Sequence, residues 1–459
     1  EVADFLRSSY RESEDKDISD EEIQSYSRFN LTSTQIEGVR RGLTDPVTVI
    51  TGLPGVGKTT ILSTLCKMLK VSHKSVLLVA PTGIAAKRAQ ALTGIEAQTI
   101  HRAFGAGAPD EDKEKSASDY EGVKKSEDDF STDKSASKIH SSIWRHNPEN
   151  PRGEQVIIID EASMVDLHLM WRILRGISPS CRVVMVGDIE QLPPVGAGFS
   201  LKDIIESGVI PRIHLTEIFR QGEGSAVVRA AHAIHRGESP TFESEDFSLI
   251  EESSLYGIQH KVVGVCKELL LEGKDYHVIS PTHHGPAGVT ALNRALRAEL
   301  NPNIMGRSLK VGRDDIRIGD KVMITQNDYD LGVFNGDIGR VESIGRTVVR
   351  VSLKTEGASL QIDLPVDRIG SLLRLAYATT VHKSQGQEYS TIVMPLTLEH
   401  GSFLLQRSLL YTAVTRAKEK VILVGEQGAI STAVRNASSA VRYSLLSHRL
   451  RKDYQPSLL

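Results

Sequence analysis

Short runs of continuous apolar residues punctuate the first half of the chain, at residues 47–50, 75–80, 155–159, 182–186 and 212–215. An uninterrupted apolar run bounded by turn residues predicts a strand buried on both faces, as in a parallel sheet. Between such runs the period changes. Residues 60–69 place Ile61, Leu62, Leu65 and Leu69 on one helical face, and residues 83–92 open a second helix after Pro81-Thr82-Gly83. Strands alternating with helices predict an α/β fold with parallel sheets. Two stretches break the pattern. Residues 1–30 are polar and acidic and predict a partly ordered lead-in, with folding proper starting at Leu31. Residues 105–140 are rich in Ser, Asp, Lys and Glu and predict a long, flexible surface insertion, with 105–150 as its outer limits.

Composition narrows the class. Of 459 residues, 25% are charged and 40% hydrophobic, ordinary values for a soluble globular protein of roughly two to four domains. No apolar run is long enough for a membrane span, so no membrane partner is expected. The chain begins at Glu1 rather than Met, which leaves room for a domain upstream. Cys66, Cys181 and Cys266 lie far apart and form no C-x-x-C, a usage that suits a reducing, cytoplasmic setting and buried thiols rather than a cysteine-built zinc site. The formal net charge of −3 looks unpromising for a nucleic-acid protein. Residues 110–135, however, carry ten acids and five bases, and without that −5 the remainder stands at +2. A locally basic channel is compatible with that balance.

The candidate chemistry sits at the ends of the apolar runs, where open α/β sheets place ligand-binding groups. Gly52 to Thr59, GLPGVGKT, fits G-x-x-x-x-G-K-[ST] between a strand and a helix. Its Gly52, Pro54, Gly55, Val56, Gly57, Lys58, Thr59 and Thr60 predict a polyphosphate cradle. Backbone N–H groups and a helix start face the phosphates, Lys58 meets the β- and γ-phosphates, and the Thr59 hydroxyl meets Mg²⁺. The run 155–159 ends in Asp160-Glu161. Asp160 is placed to hold Mg²⁺ through water, and Glu161 to orient an attacking water. Gln191, after the next run, is placed to sense the γ-phosphate, Arg220 to reach the phosphates and Gln35 to read an adenine edge. Thr99 and His101 are candidates for a backbone phosphate of DNA.

The order of these strings resembles superfamily 1 DNA helicases, the RecD-like group above all. GLPGVGKTT, APTGIAAKRA, QTIHRAFG, VIIIDEASMVDL, VGDIEQLPPVGAG, LTEIFRQ, YATTVHKSQGQEY and LYTAVTRAKEKVILVG carry the resemblance across about residues 31–427. It implies two RecA-like P-loop domains with one ATP and Mg²⁺ site between them. Lys58, Asp160, Glu161, Gln191, Arg220 and Arg416 would be catalytic, and Gly386 and Glu388 would also line the nucleotide. The first domain would span 31–220. The second would be split into 221–305, with a strand at 276–280, and 373–459, with strands at 391–394 and 420–425. Between its parts, 306–372 would be an SH3-like β insertion, with a hairpin at Asn335-Gly336 and strands at 339–344, 347–353 and 360–364. Single-stranded DNA would cross Pro81, Thr82, Gly83, Thr99 and His101 on the first domain. On the second it would meet Thr380, His382, Lys383 and Ser384, groups suited to phosphates rather than bases.

The resemblance further implies 5′→3′ movement on single-stranded DNA, action at single-strand/duplex junctions and a bacterial or phage setting with repair or replication partners. A non-unwinding DNA-dependent ATPase within a repair or recombination complex is the alternative, and a nucleotide-dependent switch protein is a reading of a different class. No nuclease constellation stands out. The acidic composition of 105–140 argues against a rigid strand-separating pin there.

Overall fold

The computed structural model describes residues 1–9, 18–106, 144–217, 225–242, 244–302, 308–311, 314–328, 331–355, 358–438, 442 and 444–451. The strands of the first unit are β1 (Val47–Gly52), β2 (Val76–Ala80), β3 (Ala97–Thr99), β4 (Val156–Ile159), β5 (Arg182–Gly187) and β6 (Arg212–Leu215). They form one parallel sheet in the order β3-β2-β4-β5-β1-β6. Their continuous apolar runs follow from burial on both faces. In β4, Ile157 and Ile159 enter the core on one side of the sheet, Val156 and Ile158 the core on the other.

The second unit repeats this plan. After β7 (Phe247–Glu251) and β8 (Tyr276–Ser280), the chain leaves through β9 (Ser308–Val311), β10 (Asp314–Arg317), β11 (Lys321–Ile324), β12 (Ile338–Ile344), β13 (Val348–Thr355), β14 (Ala358–Pro365) and β15 (Leu373–Leu375). It returns as β16 (Ala378–Thr380), β17 (Tyr389–Leu396) and β18 (Ala417–Gly425). The parallel sheet has the order β16-β8-β17-β18-β7. The excursion is an antiparallel five-stranded sheet, β14-β13-β12-β11-β15, beside the β9–β10 ribbon, and the two share one core. Alternating burial along β12, with a bulge between Val341 and Ser343, marks a sheet packed on one side.

Three expectations change. The lead-in is not merely polar. Helix Val2–Ser9 buries Val2, Ala3 and Leu6 in the first unit's core, where it meets helix Leu446–Leu450, and helix Asp20–Tyr26 buries Ile23 on the other side. The amphipathic spacing of Val2, Ala3 and Leu6 carried this signal, masked by the acids that follow. The segment 373–459 is therefore not one body, because its terminal helix closes the first unit's core rather than the second's. Asn335-Gly336, finally, is no two-residue hairpin. It lies in the long connection between β11 and β12, where Gly336 has φ +101° and its N–H bonds the Ile324 carbonyl at 2.8 Å. Most of the acidic insertion, residues 107–143, lies outside the described residues.

The connection that carries Asn335 reaches the first unit. Phe334 lies against Gly83, where an added Cβ would meet its ring at 2.2 Å. Lys87 pairs with Asp337 at 2.7 Å and sits 4.6 Å from the Phe334 ring centre.

Candidate nucleotide cleft and nucleic-acid face

β1 ends in the glycine loop, and helix Lys58–Val71 begins directly behind it. Gly57 caps this helix at φ +87°, a left-handed conformation in which a Cβ would also strike Gln35 Nε2 at 2.3 Å. Gln35 is held firmly at this point. Its Oε1 accepts from Thr32 N–H in a capping box, and its Nε2 donates to the Val56 carbonyl at 3.1 Å. Both ends of the amide brace the loop from behind. Val56 is an anchor in the core, not a lining residue.

In front of the loop lies a cleft of about 260 Å³ lined by Pro54, Gly55, Gly57, Lys58, Thr59, Thr60, Asp160, Glu161, Gln191, Glu388 and Arg416. The first nine come from the first unit, the last two from the second. Lys58 Nζ bonds the carbonyls of Gly52 and Leu53. Burial pushes its pKa down, while Asp188, Glu161 and Asp160 pull it up. Burial, and then the neighbouring Glu161 carboxylate, push Asp160 up to about 6. Glu161 adopts φ +51°, a conformation that costs an L-residue about 1–2 kcal/mol. The tight turn that follows, Ala162–Met164, fixes Glu161 at the cleft despite that cost.

Arg416 is nearly fully buried. Its guanidinium donates to the Thr412 carbonyl at 3.2 Å, to Thr415 Oγ1 at 3.3 Å and to the Gln387 carbonyl at 3.4 Å. Gly386 does not line the cleft. It stands at φ +78° against Thr82, where the two units touch. Gly52 likewise ends β1 outside the lining, and Arg220 lies outside the described residues. Among the described lining residues, one charged residue was missed. Arg88, on helix Gly83–Thr93, lines the cleft and pairs with Glu388 from across it at 2.7 Å. Its helical position beside Lys87 reads as a solvated face, and only the partner 300 positions away reveals its place.

The predicted DNA contacts form a less uniform group. Several of these side-chain oxygens also hold the fold together. Thr82 Oγ1 caps helix Gly83–Thr93 through Ala85 N–H, and Thr99 Oγ1 caps the next turn through Arg102 N–H. Thr380 Oγ1 accepts from Lys383 N–H, and the fully buried Ser384 Oγ donates to the Val381 carbonyl. Gly83 is buried and Pro81 half-buried, whereas His101, His382 and Lys383 are exposed. Lys383 Nζ bonds Asn335 Oδ1 at 3.0 Å, and His101 faces Trp144 with ring centres 5.6 Å apart. A groove of about 750 Å³ runs beside these residues, with Gly83, Lys87, Gln98, Thr99, Arg102 and Phe334 on its walls.

Three family profiles match the chain: an AAA domain over residues 30–254, an ATP-dependent RecD-like DNA helicase SH3 domain over 292–363, and a UvrD-like helicase C-terminal domain over 375–424. The chain is 33% identical to the ATP-dependent RecD2 DNA helicase of Deinococcus radiodurans over 404 residues, covering 87% of this chain and 49% of that one. It is 30% identical to the RecBCD enzyme subunit RecD of Mycobacterium tuberculosis over 466 residues, covering 89% and 71%. It thus spans about half the length of the first relative and under three quarters of the second. Among solved structures, a Bacteroides Pif1 helicase in complex with ADP-AlF3 and single-stranded DNA shares the fold, with a TM-score of 0.51, 21% identity and coverage of 86% and 92%.

Proposed function

Because this chain belongs to the RecD-like group of superfamily 1 DNA helicases, we propose that it is an ATP-dependent helicase moving 5′→3′ on single-stranded DNA and unwinding duplex at single-strand/duplex junctions. The observation that carries the reading is the cleft, in which Lys58, Thr59, Asp160, Glu161 and Gln191 of one unit face Glu388 and Arg416 of the other.

ATP is the substrate. The glycine loop cradles its phosphates, and Lys58 leaves the Gly52 and Leu53 carbonyls to meet the β- and γ-oxygens. Glu161 accepts a hydrogen bond from the attacking water and orients it, while Gln191 borders the same space. Arg416, presented from the second unit, offsets charge developing on the transferred phosphoryl group. Its contribution depends on how tightly the two units close, which is how hydrolysis becomes movement. Mg²⁺ fits the donor set. Thr59 supplies a hard hydroxyl oxygen, and the Asp160 carboxylate is raised in pKa by burial and by Glu161. Among the described residues no group of three or more His, Cys, Asp or Glu would hold an ion unaided, which agrees with a cation shared with phosphate oxygens. When bound it supplies charge stabilisation at those oxygens.

DNA lies across the tops of both units, over Thr82-Gly83 and Thr99 on one and Lys383 on the other. Capping uses the Thr82 and Thr380 oxygens as acceptors and leaves their O–H groups able to donate to phosphate, alongside backbone N–H groups and the exposed Lys383 and His382. Likeness to a RecBCD subunit favours a second reading, a translocase that serves within a repair complex. Unwinding by the purified protein separates the two. A duplex with a 5′ single-stranded tail is unwound at excess ATP, and one with a 3′ tail is not. Turnover without unwinding from either tail supports the second reading, and unwinding only from the 3′ tail overturns the polarity.

A further inference from the structure

The turn after β5 is held from the opposite side of the cleft. Asp188 is 1% exposed. Its Oδ1 accepts from Glu190 N–H at 3.1 Å, and its Oδ2 accepts from Gln191 Nε2 at 3.3 Å and from Tyr411 Oη at 2.9 Å. Tyr411 is fully buried on helix Arg407–Val414 of the second unit. A carboxylate only accepts hydrogen bonds, so this network fixes the Gln191 amide with its NH₂ toward Asp188 and its oxygen away from it.

On the other side of Gln191, Leu192 N–H donates to Thr412 Oγ1 at 2.8 Å. The Thr412 hydroxyl spends its one proton on the Ser408 carbonyl at 2.7 Å, so its lone pair is what faces Leu192. The Thr412 carbonyl in turn accepts from Arg416 Nε at 3.2 Å. The Leu192 side chain itself sits in the core of the second unit. Gln191 is therefore bracketed, one residue after and three before, by adjacent residues of the helix that ends beside Arg416.

We propose that Tyr411 and Thr412 are positioning residues that lock Gln191 of the first unit and Arg416 of the second into one assembly across the cleft. Two groups that border the cleft from opposite units then move together, and an opening that slides the second unit disturbs both at once. This rests on the cleft being the ATP site.

The test pairs a structural readout with a kinetic one. In Tyr411→Phe, which removes only the hydroxyl, amide hydrogen exchange across residues 188–192 accelerates even without nucleotide. Thr412→Val, which keeps the shape but removes the acceptor, accelerates exchange at Leu192. In turnover, Tyr411→Phe lowers DNA-stimulated kcat about tenfold, the scale of one hydrogen bond to a charged group, with KM for ATP little changed. Gln191→Ala combined with Tyr411→Phe is no slower than Gln191→Ala alone. Unchanged exchange at 188–192 in Tyr411→Phe overturns the proposal. So do additive kinetic effects, or a lowered melting temperature with the DNA-stimulated kcat intact, which would make Tyr411 merely structural. Failure of the ATPase reading looks different, because the unmodified protein then shows no turnover while the exchange effect persists.

Discussion

The cleft and the surface above it are built from the same kind of material, the polar ends of parallel strands, yet they use it in opposite ways. In the cleft, Lys58, Asp160, Glu161, Gln191 and Arg416 converge with their functional groups on one space. On the nucleic-acid face, the side-chain oxygens of Thr82, Thr99, Thr380 and Ser384 turn back into their own turns. Chemistry on one phosphorus needs particular side chains at particular points. Holding a phosphate backbone that must slide needs mainly amides and charge, which do not commit the surface to one register. On the proposed DNA path, the capping threonines shape the turns whose N–H groups would do that work.

The largest effect expected from this contrast is in the cleft. Lys58→Ala abolishes turnover, by about 100-fold or more on the scale of a lost transition-state donor, and it leaves the fold intact because Lys58 bonds only two loop carbonyls. A steady-state assay with saturating single-stranded DNA checks this, and normal turnover in a folded variant would remove the site from the cleft. Glu161→Gln follows, with nucleotide binding retained and hydrolysis slower by about 100-fold. Equal loss of binding and turnover would make Glu161 a structural residue.

Two smaller effects sharpen the difference between the regions. Lys383→Ala weakens single-strand binding and lowers the salt slope of log K by about 0.7, the value for one phosphate contact on a single strand, while nucleotide affinity holds. Thr99→Ala costs about 1 kcal/mol of stability as a lost cap and leaves single-strand affinity unchanged. Titration at several salt concentrations, with melting curves beside it, separates the two. A loss of affinity in Thr99→Ala at an unchanged salt slope, the mark of a neutral donor, would return that hydroxyl to the DNA.

The smallest effect is one of pH. His235 Nδ1 of the second unit stands 3.2 Å from Glu190 Oε2 of the first. The facing Glu190, through hydrogen bonding and charge, raises the His235 pKa above its ordinary 6.5, with burial opposing, Asp188 adding and Arg407 subtracting. His235 lowers that of Glu190 below 4.5. The histidine's share of the contact is complete below 6.5 and fades as pH rises through the raised value. The carboxylate's share is complete above 4.5 and fades as pH falls through the depressed one. Closure of the cleft, followed by a distance probe across the two units, is thus favoured between about pH 4.5 and 6.5 and relaxes slightly above. Glu190→Gln flattens that dependence. Both groups are about one-third exposed, which keeps the effect small.

Local sequence carried the elements whose geometry is local. The P-loop was legible because a strand, a left-handed Gly57 and a helix start follow one another within a dozen residues, and Asp160-Glu161 because the apolar run before them must be a buried strand. By itself the sequence determined the first unit's sheet and its parallel sense, since hydrophobic period and turn chemistry act over a few residues, whereas the second sheet was expected only from the family resemblance. The tertiary structure alone decided that Arg88 faces Glu388, that Tyr411 holds Asp188, that Gln35 braces the loop, and that both described chain ends close the first unit's core. Those outcomes depend on which surfaces meet across separations such as 300 and 223 positions. A side chain's partner at that distance is set by how whole layers pack, and no local pattern of residues encodes it.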